Sequence, residues 1–293
     1  MNNGLTMAAT TAPLNAAPAA QAAVRIGALR RQLAALEPAV GSECGALLAL
    51  GNPFIDGALG GGLGSSALHE IAAARETDVA AASGFVLALA ARMTSSRVPL
   101  TARGNSWDAR NDARVSASPV LWIAEDLSLA ENGALYGPGL DGIGIAPEQL
   151  ITVAAARGRD VLWAMEEALR CRALGMVIGE MRPRGIDQVA TRRLALAAAA
   201  GNALGLILYT AADDVPSAAV TRWIVGAAAP RDTERSHGIG PPRFLARLVR
   251  NRRGPLGTWI VEWNSVEHRF ELATHSEPMA GAAFDRPHRT AVA

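Results

Sequence analysis

The chain contains no lysine: all 28 of its basic residues are arginine. No step that depends on a lysine ammonium can occur here, including neutralisation of the outer phosphates in a nucleotide-binding loop. Cysteine is almost absent. Cys44 and Cys171 are the only two, far apart in sequence, which excludes a disulfide framework or a cysteine zinc site. Two free, buried thiols in a cytoplasmic protein are expected. Long apolar runs are missing too. The richest stretch, "LALAAAAGNALGLILY" at 194–209, is broken by Gly201, Asn202 and Gly205, short of the ~18 uninterrupted residues of a membrane span. The N-terminal "MNNGLTMAATTAPLNAAPAAQAA" has neither a basic start nor a continuous apolar core, so no signal peptide is expected. The expectation is a soluble, cytoplasmic chain with no membrane contact.

What is present points to a substantial core. The 293 residues are 50% hydrophobic with a net charge of +1, enough for one large domain or two small ones. A charge this small argues neither for nor against nucleic acid; only local patches can.

Residues 1–23 are rich in Ala, Pro and Thr and read as disordered. Over 24–37, Ile26, Leu29, Leu33 and Leu36 share one helical face. That stripe needs a surface, on its own core or on a neighbour, and is a candidate subunit contact. Residues 24–45 thus form an N-terminal helix and linker. The segment 46–73 is strand-like at both ends around a glycine cluster. A helix follows, with Val79, Ala82, Val86, Leu89 and Met93 in phase and Thr77 or Asp78 placed to cap it. A polar loop spans 99–118. Buried strands are expected at 119–126, 149–156, 175–181 and 204–210. Helices should alternate with them, one capped by Asp160 and running to about Arg172, another at 186–201. The stretches 219–228, 243–251 and 257–263 alternate like antiparallel strands. The fold class is α/β: a mostly parallel central sheet flanked by helices, with an antiparallel C-terminal extension. Residues 273–293 read as a mobile tail.

"GNPFIDGALGGGLGSSALHEI" at 51–71 resembles the "GxxxLDxALGxGGLPxGxxxEI" lead-in of RecA-like ATPases, and "RFLARLVRNRRGP" at 243–255 resembles their "VKVVKNKxxxP" strand. "VLWIAED" and "MVIGEM" stand where that superfamily carries its water-activating glutamate and magnesium-side aspartate. The resemblance implies a RecA-like domain over 46–272. Within the superfamily, "LHEI", "DVLWAMEEALRC", "AVTRW" and "GTWIVEW" resemble the ImuA family. This likeness implies a non-catalytic accessory protein of DNA-damage-induced mutagenesis. It would work with an ImuB-type polymerase-like hub and an error-prone C-family DNA polymerase, with RecA or further copies of the chain as additional partners.

A working phosphate loop reads G-x-x-x-x-G-K-[ST]. Aligned through Glu70 and Ile71, this chain has Ala73 and Asp78 at the two glycines, Val79 at the lysine and Ala80 at the hydroxyl. Asp78 would also repel a polyphosphate, by about 4 kcal/mol at ~4 Å and an effective dielectric of about 20. The loop is degenerate; no cofactor, no metal and no catalysis are expected. Glu125 and Glu180 are leftover carboxylates, expected to cap a helix or pair with arginine.

The connections that carry DNA-binding loops in RecA are short here, "RPRGIDQ" and "AADDVPS". The second holds two aspartates and no base, so DNA contact should be weak or indirect. The basic density lies at 231–253, with Arg231, Arg235, Arg243, Arg247, Arg250, Arg252 and Arg253 against Asp232 and Glu234. Arg243, Arg247, Arg250, Arg252 and Arg253 are the candidate partner or DNA contact, with a solvated sheet edge as the other reading. Trp122, Trp163, Trp223, Trp259 and Trp263 fall in expected elements and should pack in the core. Trp163 lies off its helix's apolar face and suits an interface anchor. Two other readings remain: a damage-induced division inhibitor resembling SulA, and an atypical RecA-like ATPase.

Overall fold

The computed structural model describes residues 46–95, 118–182, 186–212, 215–230 and 240–273. The expected 24–37 helix with Ile26, Leu29, Leu33 and Leu36, the 1–23 segment, Cys44 and the tail past 273 lie outside these residues.

The lead-in forms a compact staple. Strand β1 (Leu47–Leu48) pairs antiparallel with β2 (Leu63–Gly64), and the short helix α1 (Pro53–Ala58) lies between them. Asn52 caps α1 by accepting from the N–H groups of Phe54 and Ile55, with Pro53 at the first helical position. The Asp56 carboxylate accepts from the N–H groups of Leu50 and Gly51. Gly62 sits at φ +140° with its Cα against the Leu48 carbonyl; a Cβ there would lie 2.4 Å from that oxygen. The run resembling the RecA lead-in is therefore a hydrogen-bonded turn whose glycine is required by a close backbone approach.

The main sheet has nine strands in the order β11-β10-β9-β8-β3-β7-β6-β4-β5. Strands β3 (Leu68–Ala73), β4 (Val120–Glu125), β5 (Leu150–Ala155), β6 (Met176–Met181), β7 (Leu204–Tyr209) and β8 (Thr221–Ala227) run parallel. Strands β9 (Arg243–Asn251), β10 (Gly257–Asn264) and β11 (Arg269–Leu272) extend it antiparallel. Every residue of β3, β6 and β7 is buried, as expected for strands covered on both faces. At the edge, β5 leaves Ile151 and Val153 exposed.

Helix α2 (Val79–Ser95) covers one face; its Phe85, Val86 and Leu89 pack with Trp122, Trp223, Trp263 and Phe270. Two short helices, α3 (Asp126–Asn132) and α4 (Gly137–Ile143), follow β4. Helices α5 (Gly158–Leu169) and α6 (Gln188–Gly201) cover the other face, burying Val161, Met165, Leu169 and Leu194.

Several expectations are corrected. Helix α5 starts at Gly158, so Asp160 lies inside its first turn and does not cap it. Asp78 ends a 3-10 turn, Glu76–Asp78, and its carboxylate serves other partners than the start of α2. Cys171 follows α5 and is exposed, not buried. Helices α1, α3 and α4 and strand β11 were not anticipated; each is short and too brief to develop a clear period.

Candidate functional site

The turn between β3 and α2 is where a phosphate loop would lie. Here Ala74 continues strand pairing by donating to Val225 O at 2.8 Å, and Asp78 N–H closes on Arg75 O at 2.8 Å. The Asp78 side chain is 4% exposed. It accepts from Arg75 Nε at 2.8 Å and from the Ala227 N–H, at the end of β8, at 3.1 Å. The arginine and the Ala227 N–H together hold this carboxyl below its usual range. The turn lies against β8 at Gly226, where a Cβ would be in ordinary contact, 3.4 Å from Ala74 Cβ and 3.5 Å from Asp78 Oδ2. Val79, at the lysine position, is buried in the core, while Ala80 is exposed and Ala73 is buried in β3. The turn ties two strands and a helix together with its own carboxylate.

The two leftover carboxylates do not converge. Ala124 pairs with Glu180 across β4 and β6; Glu125, one residue on, belongs to the opposite sheet face. Glu125 Oε1 accepts from the Gly158 N–H at 3.1 Å, which is the first N–H of α5. Glu180 is buried on the α2 face and accepts from Trp122 Nε1 at 3.0 Å and Asn132 Nδ2 at 3.2 Å. Burial pushes its pKa up, partly offset by those two donors. Each carboxylate satisfies fixed protein donors, and the two serve separate places. Among the described residues no group of three or more His, Cys, Asp and Glu side chains could hold a metal ion. No helix among them is long and apolar enough to cross a membrane.

The five arginines do not form one patch. They line β9 and the turn after it, over about 27 Å of strand. Arg243 is half-buried at one end: it donates to Ala229 O at 2.7 Å and lies 3.6 Å from Glu262. Arg247 is exposed opposite Ile224 and Thr258. Arg250, Arg252 and Arg253 gather at the far end, where the β8 and β3 strands begin. There Arg250 lies directly across from Arg222. Burial and its arginine neighbours push the Arg250 pKa down.

Compared with curated proteins, the chain is 29% identical over 235 residues to Protein ImuA of Caulobacter vibrioides strain NA1000 / CB15N, spanning 76% of this chain and 85% of that protein. Protein ImuA of Caulobacter vibrioides strain ATCC 19089 / CIP 103742 / CB 15 aligns to the same extent. Over most of its length the chain is thus similar to ImuA proteins. No family profile matches it.

One buried cluster was not anticipated as a site. Glu70 is fully buried in the middle of β3. Its carboxylate accepts from Arg222 Nε at 2.7 Å, the Ser217 hydroxyl at 2.5 Å and the Tyr209 hydroxyl at 3.2 Å. Arg222 also donates to Val215 O at 2.6 Å, so the pair anchors the segment leading into β8. Its signal in the sequence is a carboxylate inside an otherwise apolar central strand, which needs a cation. Beside it, buried His69 has Nε2 3.1 Å from Gly64 O and Nδ1 2.8 Å from Thr221 Oγ1. The carbonyl can only accept, which assigns the proton to Nε2 and makes Nδ1 the acceptor. Thr221 Oγ1 in turn accepts from Trp223 Nε1 at 3.2 Å. Trp163, the expected interface anchor, stands apart from the other tryptophans. Trp122, Trp223 and Trp263 are buried and Trp259 half-buried, whereas Trp163 is 65% exposed on α5.

Proposed function

We propose that the chain is a non-catalytic, RecA-like accessory protein of DNA-damage-induced mutagenesis, an adaptor in error-prone translesion synthesis. Its likeness to curated ImuA proteins supports the process. The order of the parallel strands, with the β3–turn–α2 unit beside the centre, supports the RecA-like reading.

The observation that carries the non-catalytic part is the Asp78–Ala227 hydrogen bond beside a buried Val79. Together they put a carboxylate and an apolar side chain where a nucleotide's phosphates would need backbone N–H groups and a lysine. Glu125 and Glu180 have no held triphosphate to act on. An adaptor acts through its surfaces. Its partners on this reading are an ImuB-type polymerase-like hub and an error-prone C-family polymerase, with RecA or self-association as further contacts. DNA contact is weak or indirect, and the protein works in the cytoplasm.

The test is genetic complementation. Deleting the gene should lower damage-induced mutation frequency, and both the wild type and Glu125→Gln should restore it. Loss of function in Glu125→Gln, together with ATP hydrolysis by the wild type that the variant lacks, would sink the non-catalytic reading. Filamentation on overexpression with unchanged mutation frequency would favour a division inhibitor instead.

A further inference from the structure

The outer faces of α5 and α6 carry apolar side chains that the core does not use. Helix α5 turns Val161, Met165 and Leu169 inward, which leaves Trp163 pointing away from the sheet, 65% exposed. Helix α6 turns Thr191, Leu194, Ala197, Ala198 and Gly201 inward. Val189 and Leu196 are left outside at 66% and 62% exposure. They are seven residues apart, on one stripe, separated by about 10 Å along the axis.

Two contacts bring the helices into level. Gly201 lies so close to α5 that an added Cβ would sit 1.8 Å from Leu169 O, and Arg193 reaches Glu166 at 2.5 Å. Counting back at about 1.5 Å per residue from the Gly201–Leu169 contact puts Trp163 within one turn of the level of Leu196. A groove between two side-by-side helices thus has a tryptophan on one wall and two aliphatic side chains on the other.

Arginine is in excess around it. Helices α5 and α6, the N-cap of α6 and the turn after α5 hold five arginines, at 159, 170, 172, 192 and 193, against Asp160, Glu166, Glu167 and Asp187. Asp160 lies 3.6 Å from Arg159, and the Asp187 carboxylate is taken up by the Ala190 N–H. Glu166 is already shared by Arg170 and Arg193, and Glu167 is held by Arg170. Arg192 makes no ion pair among the described residues. The backbone of both helices is satisfied internally, so an occupant is read by side chains alone.

We propose that this groove docks an acidic amphipathic helix of a partner protein, with Trp163 as the central anchor. Recognition is of the helix-in-groove kind: apolar side chains on the partner's stripe meet Trp163, Val189 and Leu196, while its carboxylates meet the arginine surplus. The inference rests on the adaptor reading above and adds the surface that performs it.

The experiment measures binding of the full-length chain to the full-length polymerase-like hub by titration calorimetry, with circular dichroism on each variant to show folding. Trp163→Ala and Leu196→Glu should each weaken binding at least tenfold. Arg192→Glu should weaken it severalfold and flatten its dependence on salt. Val266→Asp, in the 88% exposed turn before β11, should leave it unchanged. A photo-crosslinker at position 163 should map to an acidic helical segment of the hub. Folded Trp163→Ala and Leu196→Glu proteins that bind within twofold of wild type would overturn the docking site and leave the adaptor reading standing. Failure of the wild type to bind at all would overturn both. Sedimentation velocity covers the remaining occupant: a wild-type dimer that Trp163→Ala turns to monomer, with hub binding intact, would make the groove a self-contact and also overturn the proposal.

Discussion

The carboxylate of Asp78 accepts a hydrogen bond from the backbone N–H of Ala227 at 3.1 Å, across 149 residues of chain. A side chain in the turn before α2 thereby holds the last residue of β8, and that turn is closed by its own anion.

Removing that anion should loosen the junction. Asp78→Ala is expected to cost about 1–3 kcal/mol in urea unfolding at pH 7, because the Ala227 N–H loses its acceptor. Arg75→Ala should cost less than Asp78→Ala, since Arg75 is 75% exposed and its ion pair is screened. The Asp78 pKa is held down in the fold. Its contribution is therefore present above the ordinary carboxylate pKa and lost as pH falls through the lower, folded value. Equal losses in both variants would show that the ion pair, not the Ala227 bond, dominates.

Restoring two ligand side chains should not restore nucleotide binding. In Val79→Lys with Ala80→Thr, the lysine enters a buried position facing the core while Asp78 still occupies the turn. The double variant is expected to be less stable than wild type, with no rise in melting temperature on adding Mg-ATP. Saturable, magnesium-dependent stabilisation by ATP would contradict this.

Glu70 should be the most sensitive carboxylate in the chain. Glu70→Ala leaves Arg222 without its buried partner, a loss of about 3–5 kcal/mol. Glu70→Gln keeps acceptor and shape and should cost less. Chemical denaturation of the two variants checks the order.

His69 sets an acid limit. Burial lowers its pKa from 6.5 to about 4. Between those values the unfolded chain binds a proton that the folded chain does not, so stability falls as pH drops through that window. The loss, on the order of 3 kcal/mol when complete, ends below pH 4. His69→Gln should flatten stability measured between pH 4 and 6.5; an unchanged slope would place the titrating group elsewhere.

The strands β4 to β7 and the helices α2, α5 and α6 were legible because buried strands read as short apolar runs, and amphipathic helices repeat every three to four residues. That Ala73, Asp78, Val79 and Ala80 carry none of the ligand groups of a phosphate loop is a matter of residue identity alone. The arginines at 243–253 looked like one cluster because they are close in sequence, yet an extended strand carries Arg243 to the opposite end from Arg250. Glu125 and Glu180 both end apolar runs in the sequence. Register puts Ala124, not Glu125, beside Glu180, and alternation then sends the two carboxylates to different faces.

By itself the sequence determined the α/β class, the alternation of its main elements and the loss of lysine chemistry, all of which follow from local periodicity and residue identity. Only the tertiary structure decided what Asp78, Glu70 and Glu180 bond to and which residues of α5 and α6 meet. Apart from the local Arg75–Asp78 bond, those relationships join residues as far as 152 positions apart, and strand order, register and helix packing choose them rather than any local pattern.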